Sequence, residues 1–175
     1  MAGHLVVIDL QHVFGDPSSG WFCPRFSEIL DPVARLVEAY APAVTFTRFV
    51  APDQPAGAWR EYYQDWPWAL QPSSSPLYSL VEPYSDRPTL DRPRFGKWDD
   101  ELATRVGGEI VVAGVSTDCC VLSTVLPAAD AGVKVRIAAD ACAGANDDTH
   151  RQALELMGLY RPLVEITSSA QLLSP

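Results

Sequence analysis

The sequence has no long hydrophobic run, no cluster of basic residues and no cysteines paired at metal-site spacing. No apolar stretch approaches the roughly 18 residues needed to span a bilayer, so a membrane-embedded protein is not expected. Lysine and arginine total 13 against 22 aspartates and glutamates, a formal charge of −9. Nucleic acids and anionic membrane surfaces reward the opposite balance, so neither is an expected partner. The four cysteines, Cys23, Cys119, Cys120 and Cys142, include no C-x-x-C pair, which argues against a structural zinc site. The opening segment MAGHLVVIDLQ lacks a basic stretch, and its apolar run is too short for a secretory signal. The expected location is cytoplasmic, where thiols stay reduced. No Gly-x-Gly-x-x-Gly follows the first apolar run, which disfavours a dinucleotide-binding protein.

What is present suits a globular chain: 175 residues, 47% apolar and 20% charged, expected to form one domain over 1–175. His4 to Asp9, Glu109 to Val115 and Val133 to Ala138 are short β-branched runs without polar alternation, the form of buried parallel strands. Weaker candidates lie at Ala43 to Arg48 and Pro162 to Ile166, and a short one at Pro88 to Arg92. Between them are helix-period stretches. Ile29, Val33, Leu36 and Val37 form an apolar stripe over about 27–40, and others run over Asp99 to Val106, Asp118 to Ala131 and Asp147 to Tyr160. This alternation predicts a three-layer, Rossmann-like α/β fold: a six-stranded parallel sheet with helices on both faces. One irregular insertion, about 51–87, is rich in Pro, Ser, Trp and Tyr, as expected of a lid or a subunit contact.

In open α/β sheets the ligand crevice lies beyond the carboxyl ends of the strands. Asp9 closes the first strand after a nearly apolar run, so its carboxylate must find partners there or lose its charge. Gly114-Val115-Ser116-Thr117-Asp118-Cys119-Cys120-Val121 carries the fourth strand straight into a helix, with Ser116 or Thr117 as the expected N-cap. Cys120 then falls in the first helical turn, where free N–H groups and the helix dipole lower a thiol pKa from about 8.5. The same N–H groups suit a developing oxyanion. Cys119 and Cys142 are assigned to packing, and Cys23 is left open between pocket and loop.

These residues resemble a known family. Asp9-Leu10-Gln11, the Gly114 to Val121 element, and Asp140-Ala141-Cys142-Ala143-Gly144 after a fifth strand are similar, in order and spacing, to the isochorismatase-like cysteine hydrolases. Members of that family use an Asp, a Lys and a Cys to cleave amides such as nicotinamide, carbamoyl groups, or the enol ether of isochorismate. The resemblance implies Cys120 as nucleophile, Asp9 as base, a non-proline cis peptide near Val115–Ser116, and an oxyanion hole formed by the N–H groups of Ser116 and Cys120. It also implies a homo-oligomer.

Two positions depart from the pattern. The family's lysine ends the third strand, six residues before an aromatic, and counting back from Trp98 gives Arg92. Pro93 favours an extended Arg92, so Arg92 takes the triad position, with Lys97 as the alternative. An Arg holds charge but does not donate a proton, which leaves Asp9 all the proton transfers. After the second strand, where nicotinamidase members carry an Asp-x-His metal pair, this chain reads Thr47-Arg48-Phe49-Val50-Ala51-Pro52. No metal and no cofactor are expected.

Gln11, Phe14, Trp21, Trp59, Phe95 and Trp98 are candidates for contact with a small-molecule substrate, and His12 for the pocket border. Pro127, inside the nucleophile helix, removes one backbone hydrogen bond, without a functional account at this stage. The reading that follows is a cysteine hydrolase acting on a small amide or related carbonyl through a Cys120 thioester. Its rivals are enol-ether hydrolysis without a covalent intermediate, and a catalytically impaired binding or scaffold protein.

Overall fold

All six apolar runs read as strands are strands in the computed structural model, which describes residues 3–174. They are β1 (His4–Ile8), β2 (Val44–Phe49), β3 (Thr89–Arg92), β4 (Glu109–Val115), β5 (Lys134–Ala143) and β6 (Val164–Thr167). They form one sheet in the order β3-β2-β1-β4-β5-β6, with every neighbouring pair parallel. The helices are α1 (His12–Gly15), α2 (Phe26–Tyr40), α3 (Trp59–Asp65), α4 (Asp100–Val106), α5 (Leu122–Asp130), α6 (Asp147–Gly158) and α7 (Ser169–Leu173). None of the described helices is long and apolar enough to cross a membrane.

Successive side chains of a strand point to opposite faces, and β1 shows the result directly. Leu5 and Val7 join Val111 and Ala113 of β4 against Ile29, Val33 and Leu36 of α2. Val6 and Ile8 join Ile110 and Val112 against Leu102 of α4, Val125 of α5 and Met157 of α6. The sheet is thus covered on both sides, and apolar runs without alternation are what a doubly buried strand requires.

Two local departures bear on the site. β5 runs on to Ala143, so Asp140 lies within the strand instead of after it. Its carboxylate accepts hydrogen bonds from the N–H and hydroxyl of Ser169, both at 2.6 Å, and so fixes the start of α7. The expected N-cap before α5 is absent as well. The chain leaves β4 through a cis peptide at Val115–Ser116 and enters a π-helical turn over Thr117–Val121 with no side-chain cap. The Ser116 hydroxyl instead meets Cys23 Sγ at 3.2 Å, and the Thr117 hydroxyl meets His150 Nδ1 at 2.8 Å.

The 51–87 insertion is ordered by its own aromatics. It holds α3 and two short turns, Pro67–Ala69 and Pro76–Tyr78. Tyr63, Tyr78 and Tyr84 are buried in the core on the α2 side of the sheet, and the Tyr78 hydroxyl donates to the Ala69 carbonyl.

Candidate active site

At the carboxyl end of β1 the chain turns on Asp9, whose φ of 50° lies in the left-handed region. A non-glycine residue pays roughly 1–2 kcal/mol there. The surroundings hold it in place. The Thr47 hydroxyl donates to Asp9 Oδ1 at 2.7 Å and accepts the Asp9 N–H at 3.2 Å. Next to it, Gly114 of β4 has φ +113°, and a Cβ there would lie 2.0 Å from the Ile8 carbonyl. Only glycine lets β4 come this close to the turn that aims Asp9.

The partner of Asp9 is Lys97. Its Nζ lies 2.9 Å from Asp9 Oδ2, and both side chains have no solvent exposure. The ammonium also donates to the carbonyls of Arg94 at 2.8 Å and Phe95 at 2.9 Å. The two carbonyl acceptors and the ion pair with Asp9 together compensate the buried ammonium, as a buried charge needs if it is to persist. Arg92, placed at this position by residue counting, is elsewhere. It binds Asp99 at 2.5 Å and Glu101 at 2.7 Å on the start of α4. The counting fails because the chain bends over Pro93 to Phe95 and brings Lys97 to the carboxyl end of β1, a central strand.

Pro127 now has a physical account. Lacking an N–H, it leaves the Ser123 carbonyl without its helical donor, and Gly96 packs against that same carbonyl. A Cβ on Gly96 would stand 2.6 Å from the Ser123 oxygen. One residue on, the Lys97 N–H donates to the Thr124 hydroxyl at 2.9 Å, which in turn donates to the Cys120 carbonyl at 2.7 Å. Loop and helix are thus locked together, with Lys97 and Cys120 on the two sides. Gly96→Ala is expected to cost about 2–3 kcal/mol of stability and to lower turnover, because the displaced loop carries Lys97. Urea midpoints together with kcat check this.

Cys119 and Cys120 share a hydrogen bond, and the charges of Lys97 and Asp9 act on both. The thiol of Cys120, only 3% exposed, has its pKa pushed well above the ordinary value by that hydrogen bond first and by burial second, with Lys97 pulling it down. This corrects the expectation of a lowered pKa at a helix start. The thiol of Cys119, more exposed, has its pKa lowered by the bond to Cys120, against burial and the charge of Asp118. Cys23 is raised to about 11, chiefly by burial, and Cys142 to about 12 for the same reason.

Above the two thiols lies a cavity of about 450 Å³. Phe14, Trp21 and Phe95 line it, together with Ser116 and Cys120. Trp59 stands behind this wall, 5.0 Å from Phe95 between ring centres, and Trp98 packs on the opposite side of the sheet. Gln11 does not reach the cavity. Its side chain donates to the carbonyls of Phe49 and Tyr78 and accepts the Phe49 N–H, tying β2 to the insertion. His12 lies on a separate shallow surface with Asp16 and Ser75. Phe22, Phe49, Tyr62, Trp66 and Asp118 also line it, and so does Cys119, which the sequence reading had assigned to packing. The sequence offered little sign of them, since a pocket-facing aromatic and a core aromatic look alike there.

At the end of β2, Arg48 is held by Asp91 at 2.5 Å, where a metal-ligand pair would have to stand. Among the described residues, no three His, Cys, Asp or Glu side chains come together as a metal site.

A family model described as the isochorismatase domain matches residues 4–171. Solved structures agree on the fold. A cysteine hydrolase from Pseudomonas syringae pv. phaseolicola is 22% identical, with a TM-score of 0.83 over 97% of this chain and 89% of its own. An isochorismatase-like hydrolase from Alkaliphilus metalliredigens is 16% identical, with a TM-score of 0.76 over 97% and 96%. A nicotinamidase from Bacillus subtilis is 19% identical, with a TM-score of 0.74 over 94% and 98%. At these identities the likeness speaks for the fold alone. A comparison with curated proteins returns no match.

Proposed function

The chain belongs to the isochorismatase family of hydrolases, and from that premise we propose that it cleaves a small amide or related carbonyl compound through a thioester on Cys120. The observation that carries this reading is the sealed Asp9–Lys97 pair at 2.9 Å beside the two thiols. A charge pair kept fully out of water is costly to maintain, and this one acts on the two thiols that line the cavity.

The chemistry follows from charge conservation in that enclosure. Cys120 rests as a neutral thiol. Asp9 takes its proton as the sulfur attacks the substrate carbonyl carbon. The negative charge thereby passes from the carboxylate, by way of the sulfur, to the carbonyl oxygen. The carbonyl oxygen, turning into an oxyanion, is received by the N–H groups of Ser116 and Cys120. The C–N bond then breaks, the amine leaves with the proton held by Asp9, and a thioester remains on Cys120. Water, losing a proton to Asp9, attacks the thioester and releases the acid. Lys97, unlike an arginine, can also share a proton with Asp9 during these transfers.

The test is mass spectrometry of the protein quenched during turnover of an amide panel. An acyl adduct on the peptide holding Cys120 is expected; product formed with no adduct under single-turnover conditions favours enol-ether chemistry instead. A second expectation separates the two candidate cations. Arg92→Gln, which removes the contacts to Asp99, Glu101 and the Asp91 carbonyl, is expected to change kcat by no more than a few-fold. A loss of a thousandfold would return Arg92 to the triad.

A further inference from the structure

We propose that the substrate of this site carries a compact alkylammonium group, seated among Trp21, Tyr62, Trp66 and Phe95 with Asp118 beside it, and that carboxylate-bearing substrates are rejected. The inference rests on the hydrolase reading above and names the class of compound that reading leaves open.

The lining of the cavity is one-sided. Seven aromatic residues line it, and among the described residues of the lining the one charged side chain is Asp118 and none is Arg, Lys or His. Lys97, whose charge acts on both thiols, is fully buried, ion-paired with Asp9 and hydrogen-bonded to the carbonyls of Arg94 and Phe95. A carboxylate entering this space would lose its water and meet no cation in exchange. A neutral apolar group would suit the rings but would strip water from Asp118 without replacing it. An alkylammonium satisfies both, because aromatic faces attract cations through their quadrupole.

Two pairs of the lining rings meet at steep angles. Trp21 and Trp66 lie 6.0 Å apart at 59°, and Tyr62 and Phe95 lie 5.7 Å apart at 75°. The same ring system already hosts one cation: Lys97 Nζ sits 5.3 Å from the centre of the Phe49 ring. Asp118 is held in place by accepting the Ala145 N–H at 3.0 Å. Its charge opposes ionisation of the nearby Cys119 and Cys23 thiols. The protein's charge of −9 also favours the approach of cations over anions.

The experiment compares three primary amides of similar size: 2-(trimethylammonio)acetamide, its neutral isostere 3,3-dimethylbutanamide, and the anion succinamate. In the wild-type protein, kcat/KM for the ammonium amide is expected to exceed that of the neutral isostere by about tenfold, with succinamate below both. In Asp118→Asn, which can still accept the Ala145 N–H, that ratio is expected to fall to within about twofold of one. Binding is read separately, by the quenching of tryptophan fluorescence on titration with each amide. If the ammonium amide binds about tenfold more tightly than its isostere and loses this in Asp118→Asn, yet is not turned over, the inference stands and the hydrolase reading fails. Succinamate equalling the ammonium amide, a preference that survives Asp118→Asn, or no binding of the ammonium amide at millimolar concentration would each overturn the inference.

Discussion

Cys120→Ala is expected to lower kcat on any amide substrate by at least about 10⁴-fold, the scale of loss when a catalytic nucleophile is deleted. Cys119→Ala is expected to lower it by no more than about tenfold. The contrast is informative because each thiol has a claim. Cys119 is the more exposed of the two and has the lower pKa, so it is also expected to react first with iodoacetamide in the resting protein, as peptide mapping would show. Cys120 is buried and protonated at rest, but its backbone is tied through Thr124 to Lys97. Its proton leaves when Asp9 accepts it within a closed complex, so slow alkylation at rest is compatible with rapid attack on a bound carbonyl. If Cys119→Ala is the inactive variant and Cys120→Ala the active one, the nucleophile has been misassigned.

Lys97→Met is expected to destabilise the protein by about 3–5 kcal/mol, the usual consequence of leaving one member of a buried ion pair behind. Met matches the length of the lysine stem but supplies no charge, so Asp9 keeps only Thr47 as a side-chain partner. Adding Asp9→Asn removes the stranded charge, and the double variant should recover part of the loss although both are inactive. Urea unfolding reads this as the shift in midpoint multiplied by the slope. A single-variant loss below about 1 kcal/mol would mean that water reaches Asp9, and the closed charge transfer from carboxylate to sulfur would lose its basis.

The sheet was legible in the sequence because doubly buried strands leave a plain trace. The run from His4 to Ile8 and that from Glu109 to Val115 have no polar alternation, and the observed faces explain why. Asp9 and the Cys119–Cys120 pair were legible as well, because they sit where strands end. Lys97 was harder to place. Its position depends on the bend over Pro93 to Phe95 that leads into Gly96 and on a carbonyl freed by Pro127, two features far apart in sequence that meet only in three dimensions. The state of the Cys120 thiol failed for a similar reason. A helix start lowers a thiol pKa, but here the turn is a π turn, the thiol is shut away from water, and a second thiol lies beside it.

The position of β1 has a consequence for how the protein is made. Leu5, Val6, Val7 and Ile8 have no solvent exposure in the finished molecule, yet β1 pairs on one side with β2 and on the other with β4, which begins at Glu109. A ribosome delivers residues in order, so the first strand waits with one apolar edge open while the insertion and β3 emerge. Open edges of this kind recruit other chains. A net charge of −9 works against such recruitment, and on a nascent chain it does so well before there is a catalytic centre to protect.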